Sequence, residues 1–204
     1  MTGSPRTWRN TTHDWTRELD AGHLAQIRAA PASYAPGGVV HLVLEVLAYA
    51  ADEAAATGSG RAVVRLHADG SVAVTDHGRG TDTRTDDQGR TVKKPVLATK
   101  DLRFFDRADP VLLPDGRPRR GLSVVAALST WLVHTNRHAD GAWTQRYEHG
   151  LPVTDLAAVD GGEPTGTTVH FLPDTSLVAS GVSVPPLRRL VASFHPPLAV
   201  QIEE

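Results

Sequence analysis

Cysteine is absent from the chain, which excludes disulfide bonds and thiol chemistry and fits a cytoplasmic setting. Long apolar runs are absent too. No stretch approaches the ~20 residues that a membrane-spanning helix needs. Met1 to Asp20 is polar, carrying Trp8, Trp15 and several threonines but no apolar core of a secretory signal. Positive charge is not in excess: 21 Lys and Arg stand against 23 Asp and Glu, for a formal net charge of -2. No overall basic field therefore drives binding to nucleic acid. The small clusters Arg117, Arg119, Arg120 and Arg188, Arg189 read as solvated loop and helix charges. The expectation is a soluble cytoplasmic protein with no membrane segment and no direct nucleic-acid contact.

What is present suits one globular domain. The 204 residues are 40% hydrophobic and 22% charged, enough to bury a real core. Residues 1 to 20 read as an N-terminal arm or extension, and 21 to 204 as the domain. The patterning predicts a short helix from Glu18 to Ala30 ended by Pro31, then a loop at Pro36-Gly37-Gly38. His41 to Ala56, rich in Leu, Ala and Glu and stopped by Thr57-Gly58-Ser59-Gly60, predicts the main helix. Arg61 to His67 and Ser71 to Thr75 read as strands joined by the turn Ala68-Asp69-Gly70. Between Thr81 and Arg120 the pattern dissolves into charge, Pro and Gly, as in a functional lid or a disordered loop. A short helix from Gly121 to Leu128 follows. Then come a hairpin, Trp131 to Asn136 and Ala142 to His149, and a strand from Thr167 to Leu172. A last helix from Leu187 to Phe194 and a terminal strand from Ala199 to Ile202 close the chain.

The most informative stretch is Asp76-His77-Gly78-Arg79-Gly80, which leaves the alternating strand Ser71 to Thr75. It places a carboxylate at a strand's end beside backbone that a ligand can approach closely. Alone it is also a plain strand-end turn. The main helix carries a second acid, Glu45, and the pair suggests a nucleotide-type pocket between a helix and a sheet. His134 and His138, four apart on a strand, do not converge as metal ligands, and no third ligand is evident. No metal site is expected.

The order of motifs resembles the N-terminal ATPase domain of the DNA gyrase B protein, within the GHKL ATPases. The strings that carry the resemblance are His41-Leu42-Val43-Leu44-Glu45-Val46, Asp52-Glu53-Ala54, and Leu66 through Gly80. Further on they are Ser123-Val124-Val125-Ala126-Ala127-Leu128-Ser129, Gln145 through Val153, and Gly166 through Asp174. The similarity is collinear from about Ala21 onward and weakest between Thr81 and Arg120. It implies a GHKL (Bergerat) α/β fold: a two-layer sandwich with helices on one face of a mixed, mostly antiparallel sheet and the ligand held between them. The sequence stops near the end of that domain. It is therefore expected to lack the transducer domain and not to act as a topoisomerase on its own.

Carried over residue by residue, the resemblance gives a pocket with two unlike halves. Asp76 matches the acid that accepts a hydrogen bond from the adenine amino group, supported by Thr167, and Gly78, Arg79 and Gly80 are retained. Arg137 corresponds, within a one-residue slip at Ala139-Asp140-Gly141, to an arginine over the pocket mouth that grips coumarin-type inhibitors. Glu45 matches the general base that activates water. Tyr49, however, stands where the family has a magnesium-binding Asn, and Ala48 where it has Asp. A neutral phenol is a poor ligand for Mg²⁺. The glycine-rich phosphate loop is replaced by Pro114-Asp115-Gly116-Arg117-Pro118-Arg119-Arg120-Gly121, in which only Gly121 survives. Pro118 offers no N–H, and the two arginines either meet phosphates by charge or sit in a solvated loop. His77 replaces an Asp or Asn, as an acid–base group or a solvent-facing side chain.

Three functions of different class follow. One is a binding module for a nucleotide or a coumarin-like small molecule, without efficient ATP hydrolysis and without Mg-ATP as cofactor. Another is a repurposed enzyme on an apolar organic substrate, for example in a biosynthetic pathway, with Glu45, Tyr49 and His77 as its catalytic residues. The third is an interaction partner of gyrase. The family dimerises through an N-terminal arm. Met1 to Asp20 departs too far from that arm to decide, so a homodimer stays open.

Overall fold

The computed structural model describes residues 19–81, 97–105, 108–160, 164–179 and 181–204. Helix α1 (Ala21–Ala29) begins three residues later than the pattern predicts, because the Asp20 carboxylate accepts the His23 N–H at 2.9 Å and caps the first turn. Pro31 ends α1 and also opens the short α2 (Pro31–Tyr34). The main helix, α3 (Gly38–Thr57), starts inside the predicted loop and runs without proline until Gly58-Ser59-Gly60. Strands β1 (Gly60–Leu66) and β2 (Val72–Asp76) form the expected antiparallel pair. Helix α4 (Leu122–Ala127) leads into β3 (Ser129–His138) and β4 (Gly141–Glu148). Two short strands, β5 (Leu151–Pro152) and β6 (Ala157–Ala158), pair with β4 and are too brief to leave a periodic signal.

Strand β7 (Gly166–Pro173) lies between β3 and β2. Helix α5 (Val184–Val191) starts earlier than predicted, since Pro185 and Pro186 fall in its first turn, where a missing N–H costs nothing. A 3-10 turn (Ala192–Phe194) takes the rest of the predicted helix, and β8 (Leu198–Glu203) closes the fold. The sheet order is β5-β4-β3-β7-β2-β1-β8. Only β1 and β8 run parallel, and the other neighbours are antiparallel. One sheet face, including Ala62, Val64, Leu132, Val169 and Phe171, packs with Leu42, Leu44 and Leu47 of α3 and Val125 of α4 into a single core. Thr168 and His170 alternate to the opposite face and are half-buried. This is the expected two-layer sandwich.

The segment from Thr81 to Arg120 is partly outside the described residues (82–96 and 106–107). The parts on either side are irregular but packed. Leu97, Ala98, Phe104, Phe105 and Leu113 are buried, Leu112 pairs with Pro118, and the Leu113 N–H reaches the Arg117 carbonyl at 2.8 Å. Burial here follows no helical or strand period, so the pattern could not reveal it.

The turn after β2 is fixed by close backbone packing. Gly80 has φ +74, and a Cβ there would fall on the Arg137 carbonyl. The Asn136 amide group bonds the Thr81 N–H at 2.6 Å and the Thr81 carbonyl at 2.9 Å. Gly116 has the same φ with nothing near its Cβ position. Gly80→Ala should therefore lower unfolding stability by roughly 2 kcal/mol or more, against about 1 kcal/mol for Gly116→Ala. Equal losses in denaturant melts would show that the Arg137 contact does not hold the turn.

Candidate functional site

Helical spacing puts His41, Glu45, Tyr49 and Asp52 or Glu53 along one stripe of α3. Each of these polar side chains has a partner from another part of the chain. His41 Nδ1 lies 2.6 Å from an Asp115 carboxylate oxygen. Glu45, fully buried, accepts the Arg120 N–H at 2.5 Å on one oxygen and the Gly121 N–H at 2.8 Å on the other. The Tyr49 hydroxyl donates to Asp101 at 2.7 Å. Asp52 takes both terminal nitrogens of Arg119, at 3.1 and 2.8 Å. Glu53 pairs with Arg79, whose Nε approaches to 2.6 Å. The first four contacts tie α3 to the irregular segment before α4. The fifth ties it to the turn after β2.

The expected solvated loop at Arg119 is not what forms. Arg119 is 5% exposed, and its guanidinium lies 4.6 Å from the Tyr49 ring centroid and 4.2 Å from that of Phe104. Ion pairing with Asp52 and stacking on two rings outweigh the cost of burying it. Arg120 is half-buried, with its guanidinium 5.4 Å from the Phe105 ring.

Asp76 ends β2. Its Oδ1 accepts the Gly78 N–H at 2.8 Å, and the Thr167 N–H of β7 also donates to the carboxylate. Burial raises its pKa, and those two donors oppose the rise. A cavity of ≈ 300 Å³ lies between the C-terminal half of α3, the start of β1 and this turn. Asp76, His77, Gly78 and Arg79 line it with Glu53 and Arg61, over a floor that includes the buried Ala54 and Leu198. The His77 side chain is exposed, while its N–H bonds the Arg61 carbonyl at 3.0 Å. Gly80 and Arg137 meet just beyond through the backbone, and the Arg137 side chain is half-buried. Glu45 and Tyr49 lie outside the cavity lining. The site residues thus fall into two groups: an open group around Asp76 and a mutually paired group along α3.

Chemically, the two groups differ in what they can offer. Asp76 can accept a hydrogen bond from a ligand N–H at the cavity wall. Glu45, fully buried beneath the Arg120 and Gly121 amides, meets water only if that segment moves away. Burial first, then Asp101, pushes the Tyr49 pKa well up, so the phenol stays a donor. Among the described residues no group of three His, Cys, Asp or Glu side chains is placed to hold a metal ion, and no helix is long and apolar enough to cross a membrane.

The partners of the α3 stripe were not visible as site residues in the sequence. Asp101 and Arg103 sit where no periodicity points to them, and Asp115 reads as a turn residue in Pro114-Asp115-Gly116. His41 had one available signal, its four-residue spacing from Glu45.

A two-layer sandwich with a ligand-sized cavity between its main helix and an Asp-x-Gly-x-Gly strand end defines a GHKL-type ATP-binding fold. The topoisomerase IV ATP-binding domain of Francisella tularensis, solved with a small-molecule inhibitor, superimposes with a TM-score of 0.67 at 21% identity, over 88% of this chain and 50% of that one. The chain is homologous to the ATPase domain of the gyrase B and topoisomerase IV B proteins. It is 33% identical over 191 residues to the DNA gyrase B protein of Thermotoga maritima, covering 89% of this chain and 30% of that protein. It is 31% identical over 162 residues to the DNA topoisomerase 4 B protein of Bacillus subtilis, covering 77% and 25%. The chain therefore spans less than a third of the length of these curated relatives. No protein-family model matches it.

His41 gives the α3 contacts a pH dependence. Burial disfavours its charge, but the bond to Asp115 and the Glu45 carboxylate, 3.4 Å from Nε2, outweigh that and push its pKa up to about 9. Burial would raise the Asp115 pKa, yet His41 and the Arg117 N–H hold it below the usual range. A raised His pKa stabilises the fold fully below about 6.5 and loses that stabilisation as pH rises through about 9. Unfolding free energy should fall over this window by up to about 3 kcal/mol. Asp115→Asn should flatten the fall, and parallel pH–stability curves for variant and wild type would contradict this assignment.

Proposed function

We propose that this gyrase-B-like domain binds a planar small molecule, a nucleotide base or a coumarin-like compound, against Asp76, and does not hydrolyse ATP efficiently. The observation that carries the reading is the state of Glu45: both carboxylate oxygens are committed to the backbone N–H groups of Arg120 and Gly121, and the side chain is fully buried. A general base must instead face water. The same commitment argues against Glu45 as the base for other chemistry.

The donor set along α3 also does not fit a magnesium ion. Mg²⁺ takes carboxylate, amide or water oxygens in an octahedral shell, whereas Tyr49 is a protonated phenol bonded to Asp101, and Asp101 is itself held by Arg103. Around Asp76 the chemistry is different. The part-buried carboxylate, the cavity of ≈ 300 Å³ and its partly apolar floor suit a base-sized ligand with an N–H edge.

Calorimetry with adenosine, ADP and novobiocin should give measurable heat with at least one. Asp76→Asn should weaken that binding by roughly tenfold, as expected for a lost charge-assisted hydrogen bond. No heat with any ligand at millimolar concentration would remove the binding reading. Phosphate release from ATP at the rate of an intact gyrase B domain would remove the other half of it.

A further inference from the structure

The helices all contribute to the core on one side of the sheet. The other side, toward which Thr168 and His170 point, carries no helix among the described residues. Its side chains align in register across β4, β3, β7, β2, β1 and β8. One row runs Thr144, Thr135, Thr168, Thr75, Val63 and Gln201. It holds no charge, and its four threonines are half-buried. Their hydroxyls already bond in pairs, Thr135 with Thr144 at 3.0 Å and Thr75 with Thr168 at 3.1 Å. Neutral polar groups with partners in place cost little to remove from water.

The adjacent row runs Arg146, Val133, His170, Ala73, Arg65 and Glu203. Its permanent charges sit only toward its ends, and burial lowers the pKa of His170 in the middle. At the β4 end the Arg146 Nε lies 3.2 Å from Glu148, and at the β8 end Arg65 lies 2.6 Å from Glu203. All four of these side chains are a third or more exposed. The face is therefore neutral and small in its centre, with one arginine and one glutamate at either edge. With strands about 4.8 Å apart, it has a footprint on the order of 600 Å², near the lower end of what a specific interface needs from each partner.

We propose that this face binds the same face of a second copy of the chain, the two sheets stacked about a two-fold axis that runs along the strands between β7 and β2. Such an axis reverses the row order in the partner. Arg146 then lies over the partner's Glu203, and Glu203 over the partner's Arg146, while the threonine rows stack across the axis. Each edge of the stack gathers two arginines and two glutamates. An axis running across the strands, along the threonine row, would instead set Arg65 over the partner's Arg61, because β1 places these two residues equally far on either side of Val63. Charge thus selects the first arrangement. Small side chains in the centre allow the usual sheet-to-sheet spacing of about 10 Å. The pairing uses the face away from the helices, so it is independent of what binds at Asp76.

Sedimentation equilibrium of the whole chain from about 1 μM to 0.3 mM, the range for a footprint of this size, should show a reversible monomer–dimer equilibrium. Thr168→Arg, beside the axis, should leave only monomer. Arg146→Glu should weaken dimerisation by roughly tenfold or more, since attraction across each edge becomes repulsion. Adding Glu203→Arg sets an acidic edge against a basic one and should restore it. Wild type that stays monomeric throughout the range would overturn the proposal. A dimer left unchanged by both Thr168→Arg and Arg146→Glu would do the same. Should those variants fail to fold, the absence of cysteine from the chain offers a second measurement. In Arg146→Cys, Glu203→Cys the two thiols of one chain stand about 24 Å apart across the sheet, so a short bismaleimide should join position 146 of one copy to position 203 of another. No such link at concentrations where wild type dimerises would refute the arrangement.

Discussion

A carboxylate sealed inside a protein must be fully hydrogen-bonded or it costs several kcal/mol, and Glu45 meets that demand with two backbone N–H groups from a segment 75 residues away. Each such bond to a charged group contributes about 1.5–3 kcal/mol, so the helix and the segment before α4 stabilise each other. The remaining pairs extend the same logic along α3: His41 with Asp115, Tyr49 with Asp101, Asp52 with Arg119. The result is a helix whose polar stripe is closed by the chain itself.

That closure divides the pocket. Toward α4 the side chains pair with one another, and the Arg103 and Arg119 guanidinium groups lie over the Tyr49 and Phe104 rings. Toward β2 the turn Asp76 to Gly80 lies next to a cavity, held by the Gly78 and Thr167 N–H groups on the Asp76 carboxylate and by the Asn136 bracket on Thr81. An open cavity at one end and self-pairing at the other are thus two outcomes of the same helix–sheet seam.

Much of this was legible in the sequence. Alternation exposed β1 and β2, the Leu- and Ala-rich run exposed α3, and collinear strings gave the GHKL-type sandwich. The positions of Glu45 and Asp76 were likewise readable, one on a helix and one at a strand end. The pairing of the α3 stripe was not, since its partners lie 50 to 75 residues away in a segment with no period. Asp101 and Arg119 look like solvent charges until the fold brings them against Tyr49. Element ends also moved wherever a local device overrode pattern, as with the Asp20 cap on α1 and the prolines that open α5 rather than block it.

A pocket divided in this way requires Glu45 to stay bound to the Arg120 and Gly121 amides when nucleotide is offered. Amide hydrogen exchange at those two residues, with and without magnesium and ATP, measures this directly. Strong protection is predicted at both amides in wild type, with loss of that protection in Glu45→Ala and no change on adding Mg-ATP. Loss of protection at Arg120 and Gly121 in wild type on adding Mg-ATP would contradict it, because Glu45 would then be released to face water.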